Sequence, residues 1–138
     1  AGDRCRVTPE RIAVNRENFR IPDNAGAQPG DQPISPAGPA GYFTGLPVGA
    51  MVEQMQRRHI PAEESFTAGQ YVCNRLFYRV MQHIARKRMP TDAGFIHLPF
   101  LHEQAMSSGT RGVGLSRQTL VSAVQVAIEV AAAQYAAR

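Results

Sequence analysis

Three residue types able to work together as a thiol hydrolase stand far apart in this chain: a cysteine, a histidine and a glutamate. The cysteine is Cys73, in Ser65-Phe-Thr-Ala-Gly-Gln-Tyr-Val-Cys73-Asn-Arg-Leu-Phe-Tyr78. A short run from Ala62 to Phe66 reads weakly as a strand, interrupted by Glu63 and Glu64, and the small residues Thr67-Ala68-Gly69 then make a turn. Beyond the turn Val72, Leu76, Phe77, Val80, Met81 and Ile84 recur at helical spacing, which predicts a helix with that stripe buried. Cys73 then lies in a first turn, where unpaired N–H groups and the helix dipole favour an anion, so its thiolate should be stabilised. On position alone, a lone cysteine in an apolar helix is more often a small core residue.

A nucleophilic cysteine needs a base, and the base an orienting group. His97 ends an apolar run, Ala93-Gly-Phe-Ile-His-Leu98, that Pro99 stops, whereas His59 and His83 fall at or in helices. His102 follows His97 by five residues, a separation that a metal site could use, but Pro99 intervenes and no cysteine pair accompanies it. Glu10 directly precedes the apolar Ile12-Ala-Val-Asn15, and a solvated strand-end carboxylate is its plainer reading. Spacing alone does not bring the three together.

The elements that must position them read in order as follows. Ile12–Asn15 is short and apolar enough for a buried strand, and Asn18 to Ile21 alternates, with Phe19 and Ile21 on one face and Arg20 on the other. Between Pro22 and Ala50 stand six prolines and six glycines in 29 residues, which predicts a long irregular loop, functional or a packing arm. Pro47 suits the start of a helix running to about His59, with Met51, Val52 and Met55 buried. The Cys73 helix follows, then the Ala93–Leu98 strand, then a loop through Gly109, Gly112 and Gly114. Ser116 caps a final helix that buries Leu120, Ala123, Val124, Ala127, Ile128 and Ala131. Strands alternating with helices predict an α/β domain with a largely parallel sheet, whose strand ends carry function.

At 138 residues the chain is one domain's worth. Its net charge of +4 is scattered, with only Arg86-Lys87-Arg88 in a row, so no nucleic-acid partner is expected. Two cysteines are too few for a disulfide framework. Leu120 to Ala133 is apolar, yet Gln118, Ser122, Gln125 and Glu129 form a polar stripe, so no membrane partner is expected. No charged-then-apolar leader opens the chain, and Ala1-Gly2-Asp3-Arg4 is no natural domain beginning. A soluble, cytoplasmic protein is the expectation.

Four stretches together carry a resemblance: Thr8-Pro-Glu10-Arg-Ile-Ala-Val-Asn15, Arg20-Ile-Pro-Asp-Asn24, Thr67-Ala-Gly-Gln-Tyr-Val-Cys73-Asn-Arg-Leu-Phe-Tyr78 and Gly94-Phe-Ile-His97-Leu-Pro-Phe100. In order and spacing they resemble the pyroglutamyl peptidase I (pyrrolidone-carboxylate peptidase) family over essentially the whole chain. The resemblance implies a single α/β/α sandwich domain over 1–138 and removal of amino-terminal pyroglutamate from peptides, without cofactor or metal. It implies Cys73 as nucleophile, His97 as base and Glu10 as orienter. The oxyanion would meet the Cys73 N–H with Arg20 close by, and Ile21, Tyr71 and Val72 would wall the lactam ring. Tyr71 stands where phenylalanine is usual, which suggests an extra hydroxyl in the pocket. A homo-oligomer, dimer or tetramer, is implied as well. The family's amino-terminal third, with its Gly-Phe-Glu-Pro-Phe-Gly-like loop, has no counterpart here, so the chain resembles the carboxyl-terminal two-thirds. The alternative reading is a truncated, non-catalytic domain acting only in assembly or binding.

Overall fold

The computed structural model describes residues 4–107 and 114–137. Gly109 and Gly112 of the expected loop lie outside them. Eight elements follow in chain order: β1 (Thr8–Pro9), β2 (Ile12–Val14), β3 (Gly41–Phe43), α1 (Val48–Arg57), α2 (Val72–Lys87), β4 (Ile96–His97), α3 (His102–Ser107) and α4 (Arg117–Ala136). They divide between two compact units.

One unit gathers the described residues of Ala1–Pro9, Leu46–Glu64 and Ile96–Arg138. Its core is the buried side of α1 against α4: Val48, Met51, Val52 and Met55 meet Ala123, Val126 and Ala127, with Val7, Ile60 and Ala62. Ser116 caps α4 as expected, its hydroxyl accepting from the Thr119 N–H at 3.0 Å. The anticipated buried face of α4 is partly wrong: Val124 and Ile128 are exposed, and Val126 is buried instead. Small alanines let α4 approach α1 closely, so the seam follows Ala123 and Ala127 rather than the bulkiest residues. By length and composition alone α4 could cross a membrane. β1 pairs antiparallel with β4 in register Thr8↔His97 and Pro9↔Ile96.

The other unit holds Glu10–Gly45 and Ser65–Phe95. β2 and β3 pair antiparallel, Ala13 opposite Tyr42, and α2 packs across both. Ala13, Ile34, Ala68, Phe77 and Tyr78 form its core, flanked by Tyr42, Met81 and Phe95. The long Pro/Gly-rich stretch is thus partly ordered: β3 lies within it, and Tyr78 holds it by donating to Pro39 O at 2.9 Å. Gly38 must be glycine there, because a Cβ would collide with the Tyr78 hydroxyl. Burial, and then Tyr42, pushes the Tyr78 phenol above its ordinary value.

Two further expectations are corrected. Ala62–Phe66 forms no strand; it makes isolated parallel bridges, Val7↔Ala62 in one unit and Glu10↔Ser65 in the other. Glu63 and Glu64 deny the run the alternating apolar faces of a ladder. In α2 the buried residues are Asn74, Phe77, Tyr78 and Gln82, and Leu76 stands 54% exposed. The helix is turned toward β2 by polar side chains that hydrogen-bond to Val14, Arg16, Ser35 and Pro39.

Within the α1/α4 unit, Val124, Ile128 and Leu98 join Val7, Met51 and Ile96 around an apolar cleft of about 360 Å³. Each large apolar side chain left in water forgoes roughly 1.5–3 kcal/mol. Concentration-dependent self-association is therefore expected in sedimentation velocity at micromolar concentration, and Ile128→Glu should suppress it. A wild-type chain that stays monomeric across a hundredfold concentration range would contradict this.

Candidate active site

α2 begins at Val72 with Tyr71 as an extended N-cap that makes no side-chain capping hydrogen bond. The turn ahead of it is built locally. Thr67 Oγ1 accepts from the Gly69 N–H at 3.1 Å, and Gly69 adopts φ +78, a left-handed conformation that favours glycine. Cys73 is a free thiol in the first turn of α2, partly accessible. The small-core-residue reading of Cys73 is not what its accessibility indicates.

The next residue holds the helix in place. Asn74 is fully buried and its amide meets the end of β2 on three atoms: the Val14 N–H donates to Oδ1 at 3.0 Å, and Nδ2 donates to Val14 O and Arg16 O, each at 2.9 Å. Asn74 was not among the residues singled out from sequence. An asparagine on the side of a helix facing a strand end is the signal that could have found it, because an amide supplies donor and acceptor at once.

Glu10 lies in the same unit, its N–H donating to Phe95 O at 2.8 Å and its backbone bridging to Ser65, just ahead of the turn into α2. It is 0% exposed, which removes the solvated-carboxylate reading. His97 belongs to the other unit, in β4 opposite Thr8, and is 6% exposed. His59, His83 and His102 are all exposed, His102 at the first position of α3. The sequence order of preference among the histidines thus coincides with burial.

The remaining site candidates lie on the surface near the start of α2. Arg20 is exposed, Ile21 is 49% exposed, and Val72 is exposed too. Tyr71 is half-buried, its ring edge-on to Phe19 at 4.6 Å between centroids. Its hydroxyl donates to Pro22 O at 2.9 Å. The extra hydroxyl anticipated for a lactam pocket is therefore engaged with backbone.

Residues 1–134 match the pyroglutamyl peptidase family. The chain belongs to that family. The pyrrolidone-carboxylate peptidase of Bacillus subtilis (strain 168) is 48% identical over 135 residues, which cover 98% of this chain and 61% of the relative. The corresponding protein of Levilactobacillus brevis is 52% identical over 118 residues, 84% of this chain and 57% of its own length. The crystal structure of pyroglutamyl peptidase I from Bacillus amyloliquefaciens superposes with a TM-score of 0.90 at 44% identity, covering 96% of this chain and 62% of that one. A mutant pyrrolidone carboxyl peptidase from Pyrococcus furiosus gives 0.91 at 39% identity, over 98% and 66%. These neighbours bear out the α/β class. The chain spans about three-fifths of the length of the curated relatives it matches, 61% and 57% for the first two.

Asn74→Ala would strand two carbonyls and one N–H around the end of β2. A buried polar group left unpaired costs about 1–3 kcal/mol, so a loss of at least about 2 kcal/mol is expected. Urea unfolding followed by far-UV circular dichroism reads it, and an unchanged midpoint would show that the clamp contributes nothing.

Proposed function

We propose that the protein is a cysteine exopeptidase that removes amino-terminal pyroglutamate from peptides, using Cys73, His97 and Glu10. The observation that carries this reading is the state of Cys73: a free, partly accessible thiol in the first turn of a helix whose N-cap residue, Tyr71, makes no side-chain capping hydrogen bond. Membership of the pyroglutamyl peptidase family supports the substrate class. The burial of His97 and Glu10 supports their selection over the other histidines and acids. The two units working as one catalytic domain over 1–138 is part of the proposal.

In this reading the Cys73 Sγ attacks the carbonyl carbon beside the lactam ring. The oxygen takes the negative charge and is held by N–H groups at the start of α2, with Arg20 close by. His97, protonated by the thiol, gives that proton to the departing amine as the C–N bond breaks, leaving a thioester. Water, deprotonated by His97, then attacks the thioester, releases pyroglutamate and restores the thiol. Glu10 orients the imidazole and stabilises its cationic form. The lactam nitrogen carries no charge, so an apolar wall of Ile21, Tyr71 and Val72 suits it and needs no acidic partner. No metal or cofactor enters these steps. A cytoplasmic homo-oligomer without nucleic-acid or membrane partners completes the proposal.

One observation favours a second reading. With about three-fifths of its relatives' length, the chain can serve as a non-catalytic assembly or binding domain. Turnover separates the two. A fluorogenic pyroglutamyl amide should be cleaved in preference to the matching glutamyl and prolyl amides. Cys73→Ala and His97→Ala should abolish cleavage, His102→Ala should retain most of it, and Glu10→Gln should lose less than Cys73→Ala. Equal losses in His97→Ala and His102→Ala would show the base to be misassigned, and no turnover in the wild type would favour the second reading.

A further inference from the structure

The segment from Glu17 to Pro22 carries Arg20 and Ile21 without a strand or helix of its own. It is nevertheless tied to the start of α2 by contacts of several kinds. The Asn18 N–H donates to Gln70 O at 2.9 Å, Phe19 packs edge-on against Tyr71, and the Tyr71 hydroxyl holds Pro22 O. One turn into α2, Arg75 reaches back. Its Cζ lies 5.8 Å from the centre of the Phe19 ring, and its Nε lies 3.4 Å from Glu17 Oε2. Glu17 and Phe19 are each 3% exposed, whereas Arg20 beside them faces solvent.

The carboxylate of Glu17 is the informative part. Gln32 Nε2 donates to Oε1 at 3.1 Å, while Oε2 accepts no hydrogen bond and faces Arg75. Burying a carboxylate costs several kcal/mol of hydration, and a half-satisfied ion pair recovers that poorly. A neutral residue would fill the same space with less penalty, so stability does not explain the pair. Orientation does. A guanidinium can meet a carboxylate and lie over an aromatic face together, which an ammonium does less well. Glu17 therefore sets Arg75, Arg75 covers Phe19, and Phe19 sets the Tyr71 ring.

We propose that Glu17, Phe19 and Arg75 are positioning residues that hold Arg20–Ile21 against the start of the Cys73 helix, so that the lactam wall is formed before substrate arrives. This rests on the reading of Cys73 as the nucleophile of a pyroglutamyl peptidase. Loosening the contacts weakens recognition of the ring and leaves the thiol itself as reactive as before.

The test uses 2-pyrrolidone, the bare lactam ring, to protect Cys73 from iodoacetamide, with the labelled site read by peptide mapping. The neutral pair Glu17→Gln/Arg75→Met leaves no unpaired charge, and Phe19→Leu keeps most of the core volume. In both, alkylation without pyrrolidone should stay within about twofold of wild type, and the half-protecting concentration should rise about tenfold, since small misplacements of binding groups are costly. Arg75→Lys should fall between. Half-protection equal to wild type in both variants overturns the proposal. So does loss of far-UV circular dichroism in both, which would make the contacts structural only. Absence of protection in the wild type is a different outcome: it removes the lactam-site reading of Cys73, and the positioning role with it.

Discussion

The amide of Asn74 is the contact on which the arrangement around the candidate nucleophile depends. A helix packed on a short strand can slide or rotate by a residue at small cost in apolar contact, because many side chains fit roughly. Three directed hydrogen bonds to Val14 and Arg16 remove that freedom. They fix the rotation of α2 and hence where the adjoining Cys73 points. They also end β2 at a defined residue, and the chain beyond it, from Glu17 to Pro22, starts from a fixed place. A second amide repeats the device on the other side: Asn15 Nδ2 donates to Ser35 O and Gly38 O, and Oδ1 accepts from the Ser35 N–H. Two side chains near one strand end thus organise both the helix and the proline-rich stretch.

This explains which parts of the molecule were legible from sequence. Helix ends were, because their causes are local: Pro47 at the N-cap of α1, and Ser116 at that of α4. The first-turn position of Cys73 was legible for the same reason, since a turn of small residues before an apolar helix marks a helix start. The buried face of α2 was not. Periodicity weighs apolarity, and it chose Leu76 and Val80, both of which are exposed. The helix is oriented instead by Asn74, Gln82 and Tyr78, whose partners lie 39 to 60 residues away in sequence. Long-range polar pairing leaves no periodic trace. The pairing of β3 with β2 is likewise long-range, and neither α3, at whose start the Leu101 N–H donates to Gln104 Oε1, nor the Glu17–Arg75 pair was singled out from sequence.

The exposed stripes have a common character. Leu76 and Val80 on α2, and Val124 and Ile128 on α4, are large apolar residues at helical spacing left open to solvent. Large apolar patches on a surface mark places where other protein packs. The candidate catalytic groups show the opposite pattern. Glu10 and His97 are buried, while Cys73 is partly accessible and Arg20 is exposed.

The central claim is that Cys73 carries the acyl group of pyroglutamate during turnover. Acid quenching of the protein mixed with a pyroglutamyl amide, followed by peptide mass spectrometry, tests it directly. The account predicts a pyroglutamyl adduct on the peptide containing Cys73, absent from the peptide containing Cys5. Cleavage of the amide with no adduct on Cys73, or with an adduct on Cys5, would contradict it.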